Sequence, residues 1–203
     1  MDEAPNFQNE MRLLLRERVI ETARRIVCTE GWGAVNMSRV AKEVGVSRPV
    51  LYKEIGKRED LAEVVIRQEV DTFLVGITGS LAAHPGDVLA GLTSAVDYTL
   101  RTGADNILLK AVLSGRSATD TELLPTLMTE PEPVLGRAIT AVTAAVRSQY
   151  GLTEVSDAEL ASRAETVVRL ALSHLFQPTG PIEGAVGQIE LVVVSLFAPL
   201  LAR

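Results

Sequence analysis

The sequence is poor in the residue types that build disulfides, metal sites and stacked aromatic cores. Its 203 residues include one cysteine, Cys28, so the chain can form neither an intramolecular disulfide nor a cysteine-rich zinc site. Its two histidines, His84 and His174, cannot by themselves supply a multi-histidine metal site. Aromatic residues make up 4% of the chain and hydrophobic residues 47%, so we expect a folded protein with a largely aliphatic core.

Membrane-targeting segments and the motifs of common helical enzymes are also missing. The amino terminus, MDEAPNFQNE, is acidic and polar, unlike a secretory signal peptide. The longest nearly apolar run, residues 191–202, is shorter than the roughly 20 residues that span a bilayer. The sequence contains no Glu-x-x-His pair and no G-x-S-x-G elbow. We therefore expect a cytoplasmic protein with no membrane partner, no cofactor and no enzymatic activity.

Positive charge is scarce overall but concentrated near the amino terminus. The net charge of −6 argues against a protein that coats nucleic acid over its whole surface. Residues 1–65 hold 11 of the 20 basic and 11 of the 26 acidic residues, so the negative excess falls on residues 66–203. Residues 36–58 contain six lysines and arginines against two glutamates. This stretch is a solvated face or a binding site for an anionic partner.

The amino-terminal region begins with a long predicted helix. Apolar residues at helical spacing run through residues 11–30 and form one buried stripe. The stripe consists of Met11, Leu14, Leu15, Val19, Ala23, Ile26 and Val27. Gly31 follows as the carboxyl-terminal cap of this helix.

Two short helices joined by a glycine turn are predicted next. Asn36 can cap the first of them. The inward face of this helix would consist of Met37, Val40, Ala41 and Val44. Gly45 can adopt the left-handed conformation of a sharp turn. Ser47 can cap the following helix, from Arg48 to about Glu54, with Pro49 in its first turn. This arrangement is typical of a helix-turn-helix.

The rest of the chain also predicts helices. Proline and glycine breakpoints, including Thr102-Gly103, separate helical stretches over 58–82, 87–101, 105–114, 119–129, 132–150, 157–176 and 183–200. Asp87, Asp105 and Asp157 lie where caps or first-turn acids belong. The valine run 192–194 favours a strand by propensity, but no partner strand is visible. We therefore predict an all-α fold, with a helix-turn-helix domain at 1–65 and a helical domain at 66–203.

The stretch 18–61 resembles the DNA-binding domain of TetR-family transcription regulators. The resemblance rests on a set of short motifs at matching positions, none of them specific alone. They are Gly31-Trp32, Val40-Ala41, Gly45-Val46-Ser47, Leu51-Tyr52 and Arg58-Glu59-Asp60-Leu61. The remaining 140 or so residues resemble the family only in being helical, acidic and of suitable length.

The resemblance implies that the third helix enters the major groove of a palindromic operator. The implied DNA-binding residues are Asn36, Ser38, Arg39, Ser47, Arg48, Pro49, Tyr52, Lys53, Lys57 and Arg58. Arg48 suits base reading because an arginine fork can bond both guanine acceptors. Ser47 is a helix cap or a phosphate contact, and Lys57 with Arg58 is a phosphate-binding or merely solvated pair. Glu54 replaces the histidine with which the family touches a phosphate, and a glutamate there would repel one.

The resemblance also implies that the last two helices, near 157–176 and 183–200, pair two subunits into a homodimer. Both helices carry apolar residues on more than one face, which fits pairing or a fully internal position in a monomer. The middle helices would enclose a pocket for a small apolar effector. Polar candidates for its lining are Tyr98, Arg101, Asn106, Thr143, Arg147 and His174. His174 could equally be an interface residue.

We therefore predict a sequence-specific DNA-binding transcription regulator, as a repressor released by a small molecule. An effector-independent activator or architectural DNA-binding protein is the alternative. A structural look-alike that does not bind DNA is the remaining interpretation of the amino-terminal motifs.

Overall fold

A computed structural model describes residues 7–114, 134–152 and 154–201. Within these ranges the chain forms α-helices and one short 3₁₀ turn but no strand, which confirms the all-α prediction. The chain divides into two compact units, with the change at residues 69 and 70. The helix predicted over 119–129 lies outside the described residues.

The first unit contains three helices, the 3₁₀ turn and the start of a fourth helix. These elements are α1 (Phe7–Glu30), the turn Trp32–Ala34, α2 (Met37–Val44), α3 (Arg48–Ile55) and the beginning of α4 (Arg58–Ala82). The second unit contains the remainder of α4 and five further described helices. They are α5 (Val88–Asp105), α6 (Ile107–Ser114), α7 (Val134–Tyr150), α8 (Asp157–Phe176) and α9 (Ile182–Leu201).

The core of the first unit is aliphatic apart from Trp32. Helix α1 packs against α2, α3 and the 3₁₀ turn, and Val19, Ala23 and Ile26 are completely buried. Met11 and Leu14 were predicted in the same stripe, but they are 50% and 58% exposed, so that part of the prediction is wrong. Among the described residues of α1, the buried side chains begin at Val19.

The second unit is a layered bundle around α5. Helix α9 packs along α5, α8 contacts both of them, and α7 packs on α8. The centre is filled by fully buried side chains from α5, α8 and α9, including Leu92, Leu160, Ile189, Val193 and Phe197. The helical assignment of the valine run 192–194 is therefore correct.

One predicted helix boundary is wrong, and the reason is a close contact between helices. Helix α5 continues through Thr102-Gly103 to Asp105. Gly103 is buried, and a Cβ atom placed on it would lie 2.8 Å from the methyl groups of Leu175 on α8. This glycine permits close packing rather than a turn.

The caps that start the helices of the second unit mostly follow the sequence pattern. Asp87 accepts a hydrogen bond of 3.0 Å from the backbone N–H of Ala90, and Asp157 lies in the first turn of α8. The sequence pattern allowed Asp105 to cap the next helix, but Asp105 is the last residue of α5. Asn106 caps α6 instead, by accepting from the N–H of Leu109 at 2.9 Å.

Helix α9 is long enough and apolar enough to cross a membrane by length and composition, a test that the core helix of a soluble protein also passes. The nearly apolar run that begins at residue 191 is the second half of this helix, which spans Ile182–Leu201. One face of α9 lies in the core of the second unit, with Ile189, Val193 and Phe197 fully buried.

A substitution at Gly91 tests the close packing of α4, α5 and α7. A Cβ atom on Gly91 would lie 2.0 Å from the hydroxyl of Tyr150, which donates a 2.7 Å hydrogen bond to the carbonyl of Leu81. We expect Gly91→Ala to lower the unfolding free energy by about 1–3 kcal/mol, because this bond must break. Chemical denaturation measures the change.

Gly79→Ala is the matched control. Gly79 is also helical, but nothing lies within 4 Å of an added Cβ atom. Here alanine should stabilise the helix by up to about 1 kcal/mol. Equal effects of the two substitutions would contradict the packing described.

Candidate DNA interface

The turn between α2 and α3 has the conformation that the sequence predicts. Asn36 caps α2, and its side-chain oxygen accepts from the N–H of Arg39 at 2.8 Å. Gly45 is left-handed, with φ 84° and ψ 31°. The N–H groups of Gly45 and Val46 both donate to the carbonyl of Ala41, at 3.0 and 2.9 Å. These bonds fix the direction in which α3 leaves α2.

Helix α3 buries one face and exposes the other. Leu51 and Ile55 point into the core and are 1% and 8% exposed. The exposed residues of α3 include Arg48, at its amino-terminal end, and Pro49, Tyr52 and Lys53. Such a surface presents cationic, apolar and hydroxyl groups together, which suits contact with base edges and phosphates in a groove.

The predicted DNA-binding residues around α3 differ in their exposure and in the hydrogen bonds that they already make. Ser47 is the N-cap residue of α3, as predicted, although its side chain makes no cap hydrogen bond. Ser38 and Lys57 are exposed, and the backbone N–H of Lys57 donates to Asp60 at 2.6 Å. Asn36 uses its side-chain oxygen for the cap of α2.

Arg39 is held in an ion-pair network rather than projecting freely. Its guanidinium donates to Glu30 at 2.5 and 2.8 Å and to Glu43 at 2.8 Å, and Arg25 reaches Glu43 as well. Hydrogen bonds from Arg39 lower the pKa of Glu30 and of Glu43, and their carboxylates raise the pKa of Arg39. A DNA phosphate would have to compete with two carboxylates for this cation.

Arg58 supports the fold of the first unit. Its guanidinium donates to the carbonyls of Val35 and Trp32, each at 2.8 Å, and lies 5.0 Å from the centroid of the Trp32 ring. The structure therefore does not place Arg58 with the outward cations, in contrast to the phosphate contact that the resemblance implied. The sequence did not predict this role, because an arginine at the start of a helix has the same local pattern whether it supports the fold or contacts a phosphate.

A pair of arginines on α1 was also missed. Arg12 donates to the carboxylate of Glu54 at 3.0 Å, and Arg16 donates to the backbone carbonyl of Glu54 at 3.2 Å. Their spacing of four residues places them on one face of α1, which was the available signal. The sequence did not show that this face meets the end of α3.

Most of the predicted effector residues are engaged elsewhere in the second unit. Tyr98 stacks on Phe73 with ring centroids 5.9 Å apart. Arg101 pairs with Asp97 and Glu183, each at 2.9 Å.

Three more of these residues have local structural roles or buried positions. Asn106 is the cap of α6 described above. Arg147 donates to the carbonyls of Leu152 and Val155 and pairs with Asp157. The hydroxyl of Thr143 is buried and has no hydrogen-bond partner among the described residues.

Described residues of the second unit enclose a larger and a smaller cavity. The larger, of about 220 Å³, is lined by residues from α5, α6, α8 and α9, and the predicted effector residue His174 is part of its lining. The smaller, of about 50 Å³, is almost entirely apolar. Its lining includes Phe73, Leu92, Thr99, Val142, Val167 and Ala171. Sequence cannot separate such residues from ordinary core, because both are apolar at helical spacing.

Family comparisons match both units. Residues 19–65 match the model described as "Bacterial regulatory proteins, tetR family". Residues 87–195, more than half of the chain, match "Bacterial Tetracyclin repressor, C-terminal domain". The protein belongs to the TetR family of helix-turn-helix transcription regulators and is therefore a DNA-binding regulator rather than an enzyme.

Individual relatives are regulators of the same kind. The transcriptional regulator AlkX of Mycobacterium tuberculosis is 30% identical over 172 residues, 85% of this chain and 80% of its own. The Staphylococcus aureus regulator SAB2452 is 28% identical over 103 residues, 50% of this chain and 55% of its own.

Solved structures share the fold. The TetR-family repressor AlkX of Dietzia sp. strain DQ12-45-1b is 26% identical, covering 90% of this chain and 95% of its own, with a TM-score of 0.65. A regulator from Mesorhizobium loti has the same TM-score at 14% identity, covering 93% of this chain and 97% of its own, which shows the fold alone.

Arg58→Met tests the structural role of Arg58. We expect the unfolding free energy of the first unit to fall by about 2 kcal/mol, because two hydrogen bonds and a cation–π contact are lost. The fluorescence of Trp32, the chain's only tryptophan, reports the transition in a denaturant titration. Lys57→Met, at the exposed neighbouring position, should change it by less than about 0.5 kcal/mol. Similar losses from both variants would rule out the assigned role.

Proposed function

We propose that the protein is a repressor that binds a palindromic operator as a homodimer and is released by a small apolar effector. The proposal assigns DNA binding to residues 1–65 and dimerisation with effector binding to residues 66–203. The observation that carries it is the two-faced α3, with Leu51 and Ile55 buried and Arg48, Tyr52 and Lys53 exposed.

The outward side chains of α3 have separable tasks in this proposal. Arg48 reads guanine through two parallel hydrogen bonds, and Lys53 contacts a base or a phosphate. Pro49 packs on a thymine methyl group, and Tyr52 donates its hydroxyl to a phosphate. The exposed Ser38 and Ser47 add neutral donors to the backbone. Because Arg39 already pairs with two carboxylates, we assign it a secondary contact with DNA. We assign no DNA contact to Arg58.

Arg48→Ala tests base reading. An operator is first selected from a random DNA pool with the wild-type chain. We expect the variant to bind it about 1–3 kcal/mol more weakly and to discriminate less at one base pair of each half-site. Arg67→Ala, an exposed cation of α4, should keep the full preference. Unchanged affinity and preference in Arg48→Ala would contradict the assignment.

The dimer proposal rests on apolar side chains that α8 and α9 leave exposed. Leu191 is 74% exposed, Leu201 52%, Val194 42% and Phe176 38%. On the same open part of α9, nothing lies within 4 Å of a Cβ atom added to Gly184 or Gly187, so another helix could approach closely. A second copy of these helices would cover the surface, and the twofold symmetry would match a palindrome.

Leu191→Glu tests this interface. A buried, unpaired glutamate would be costly, so we expect a monomer where the wild-type chain is a dimer. Mass measured by light scattering at micromolar concentration gives the answer. Val75→Glu is the control, because Val75 is a comparably exposed apolar residue, at 69%, on α4. A monomeric wild-type chain, or a dimeric Leu191→Glu variant, would contradict the interface.

The effector proposal rests on the smaller cavity. Thr99 is a polar residue in its lining, and its hydroxyl already donates to the carbonyl of Ala95 at 2.8 Å. A satisfied hydroxyl leaves the lining suited to an aliphatic chain. The Dietzia repressor AlkX is implicated in biodegradation of n-alkanes, which supports an aliphatic effector for this chain.

A series of n-alkanes and alkanoic acids tests the effector class. We expect a member of the series to release the chain from its operator and to stabilise it thermally. Ala171→Leu, which fills the cavity, should abolish release while operator binding persists, and Ala144→Leu at an exposed site of α7 should not. Operator binding that no member affects would favour the effector-independent regulator.

A further inference from the structure

We propose that Arg12 forms an additional contact with a DNA backbone phosphate and that Glu54 is the residue that positions it. This inference rests on the proposed function and extends its DNA interface to the beginning of α1. It assigns a binding role to a residue that lies before the matched helix-turn-helix segment, which begins at residue 19.

The contact between Arg12 and Glu54 joins two elements that are distant in sequence. The Nε atom of Arg12 donates to Oε2 of Glu54 at 3.0 Å across 42 residues. Arg16, one turn further along α1, donates to the carbonyl oxygen of Glu54 at 3.2 Å. This carbonyl belongs to the last turn of α3, where a cation also interacts favourably with the helix dipole. The two arginines therefore place this face of α1 against the carboxyl-terminal end of α3.

Exposure differs sharply between the two partners of the ion pair. The Glu54 side chain is 12% exposed, whereas the Arg12 side chain is 63% exposed. The carboxylate is therefore covered, and the cation faces the solvent. A DNA strand that approaches this end of α3 meets the guanidinium before it meets the carboxylate.

The length of α3 places this pair near the edge of the groove. Eight residues of α-helix extend about 12 Å, and the major groove is about 12 Å wide. When Arg48, at the start of α3, contacts bases, the other end of the helix approaches the strand that borders the groove. Lys53 lies beside Glu54 in this last turn and faces outward.

The chemistry of the guanidinium allows Arg12 to bind the Glu54 carboxylate and a DNA phosphate at the same time. Arginine has five N–H donors in a planar fork, and the described contact with Glu54 uses the one on Nε. Its Nη donors make no hydrogen bond to another described residue. One carboxylate thus fixes the plane of the guanidinium, and the two Nη groups can donate to a phosphate.

A simpler role for Arg12 must be separated from this one. Arg12 could neutralise Glu54 without touching DNA, and removing it would then weaken binding only by exposing a repulsive carboxylate. The two roles differ once Glu54 has lost its charge. The decisive comparison is therefore Glu54→Gln against the double variant Arg12→Ala/Glu54→Gln.

The experiment measures operator affinity by fluorescence anisotropy across a range of salt concentrations. In the Glu54→Gln background we expect Arg12→Ala to weaken binding about tenfold. The slope of log K against log salt should also become shallower by about one for each bound protomer, because a phosphate contact is lost. Arg67→Ala should leave the slope unchanged. Trp32 fluorescence confirms that each variant is folded.

Equal affinity and equal salt dependence of Glu54→Gln and the double variant would overturn the inference. That outcome differs from failure of the proposed function. In the latter case the wild-type chain would select no operator, or Arg48→Ala would bind it as well as the wild type does. If operator binding depends on Arg48 but not on Arg12, the phosphate contact of Arg12 is contradicted and the proposed function stands.

Discussion

The structure of the first unit depends on one backbone carbonyl. The oxygen of Ala41 accepts from the N–H groups of both Gly45 and Val46, and the left-handed Gly45 allows the chain to make this reversal. An L-residue at Gly45 would be strained, because its φ of 84° is sterically unfavourable for side chains with a Cβ atom. Once the turn is fixed, burial of Leu51 and Ile55 turns the side of α3 that carries Pro49 and Lys53 outward. Arg48 lies exposed at the amino-terminal end of the same helix.

Electrostatics divides the cations of this unit into two groups. Arg24, Arg39 and Arg58 have internal partners: Arg24 pairs with the buried Glu69 at 2.6 Å, Arg39 with Glu30 and Glu43, and Arg58 with two carbonyls. Arg48, Lys53 and Lys57 lie exposed around α3. Internal pairs hold the elements together, and the exposed cations supply the field that attracts a polyanion. In an acidic chain, we propose that nucleic-acid binding centres on the exposed cations of α3 and its borders.

Sequence alone predicted the features that have a local cause. The Asn36 cap, the Gly45 turn, the inward face of α2 and most helix boundaries follow from residues near each other in the chain. It could not predict features that depend on distant partners. Gly103 looked like a helix break because Leu175, the residue it accommodates, is about 70 positions away. Arg58 and Glu54 looked like a cation and an anion facing DNA, because Trp32, Val35 and Arg12 come close only in the folded chain. The structural partners of Tyr98, Arg101 and Arg147 were not predictable from the sequence for the same reason.

The central claim is that α3 is the element that contacts DNA. Ultraviolet cross-linking of the wild-type chain to its selected operator, followed by mass spectrometry of the attached peptide, tests it most directly. The account predicts that the DNA is attached within residues 47–57, with Tyr52 or Lys53 as the modified residue. Attachment confined to the second unit, with residues 47–57 unmodified in a saturated complex, would contradict it.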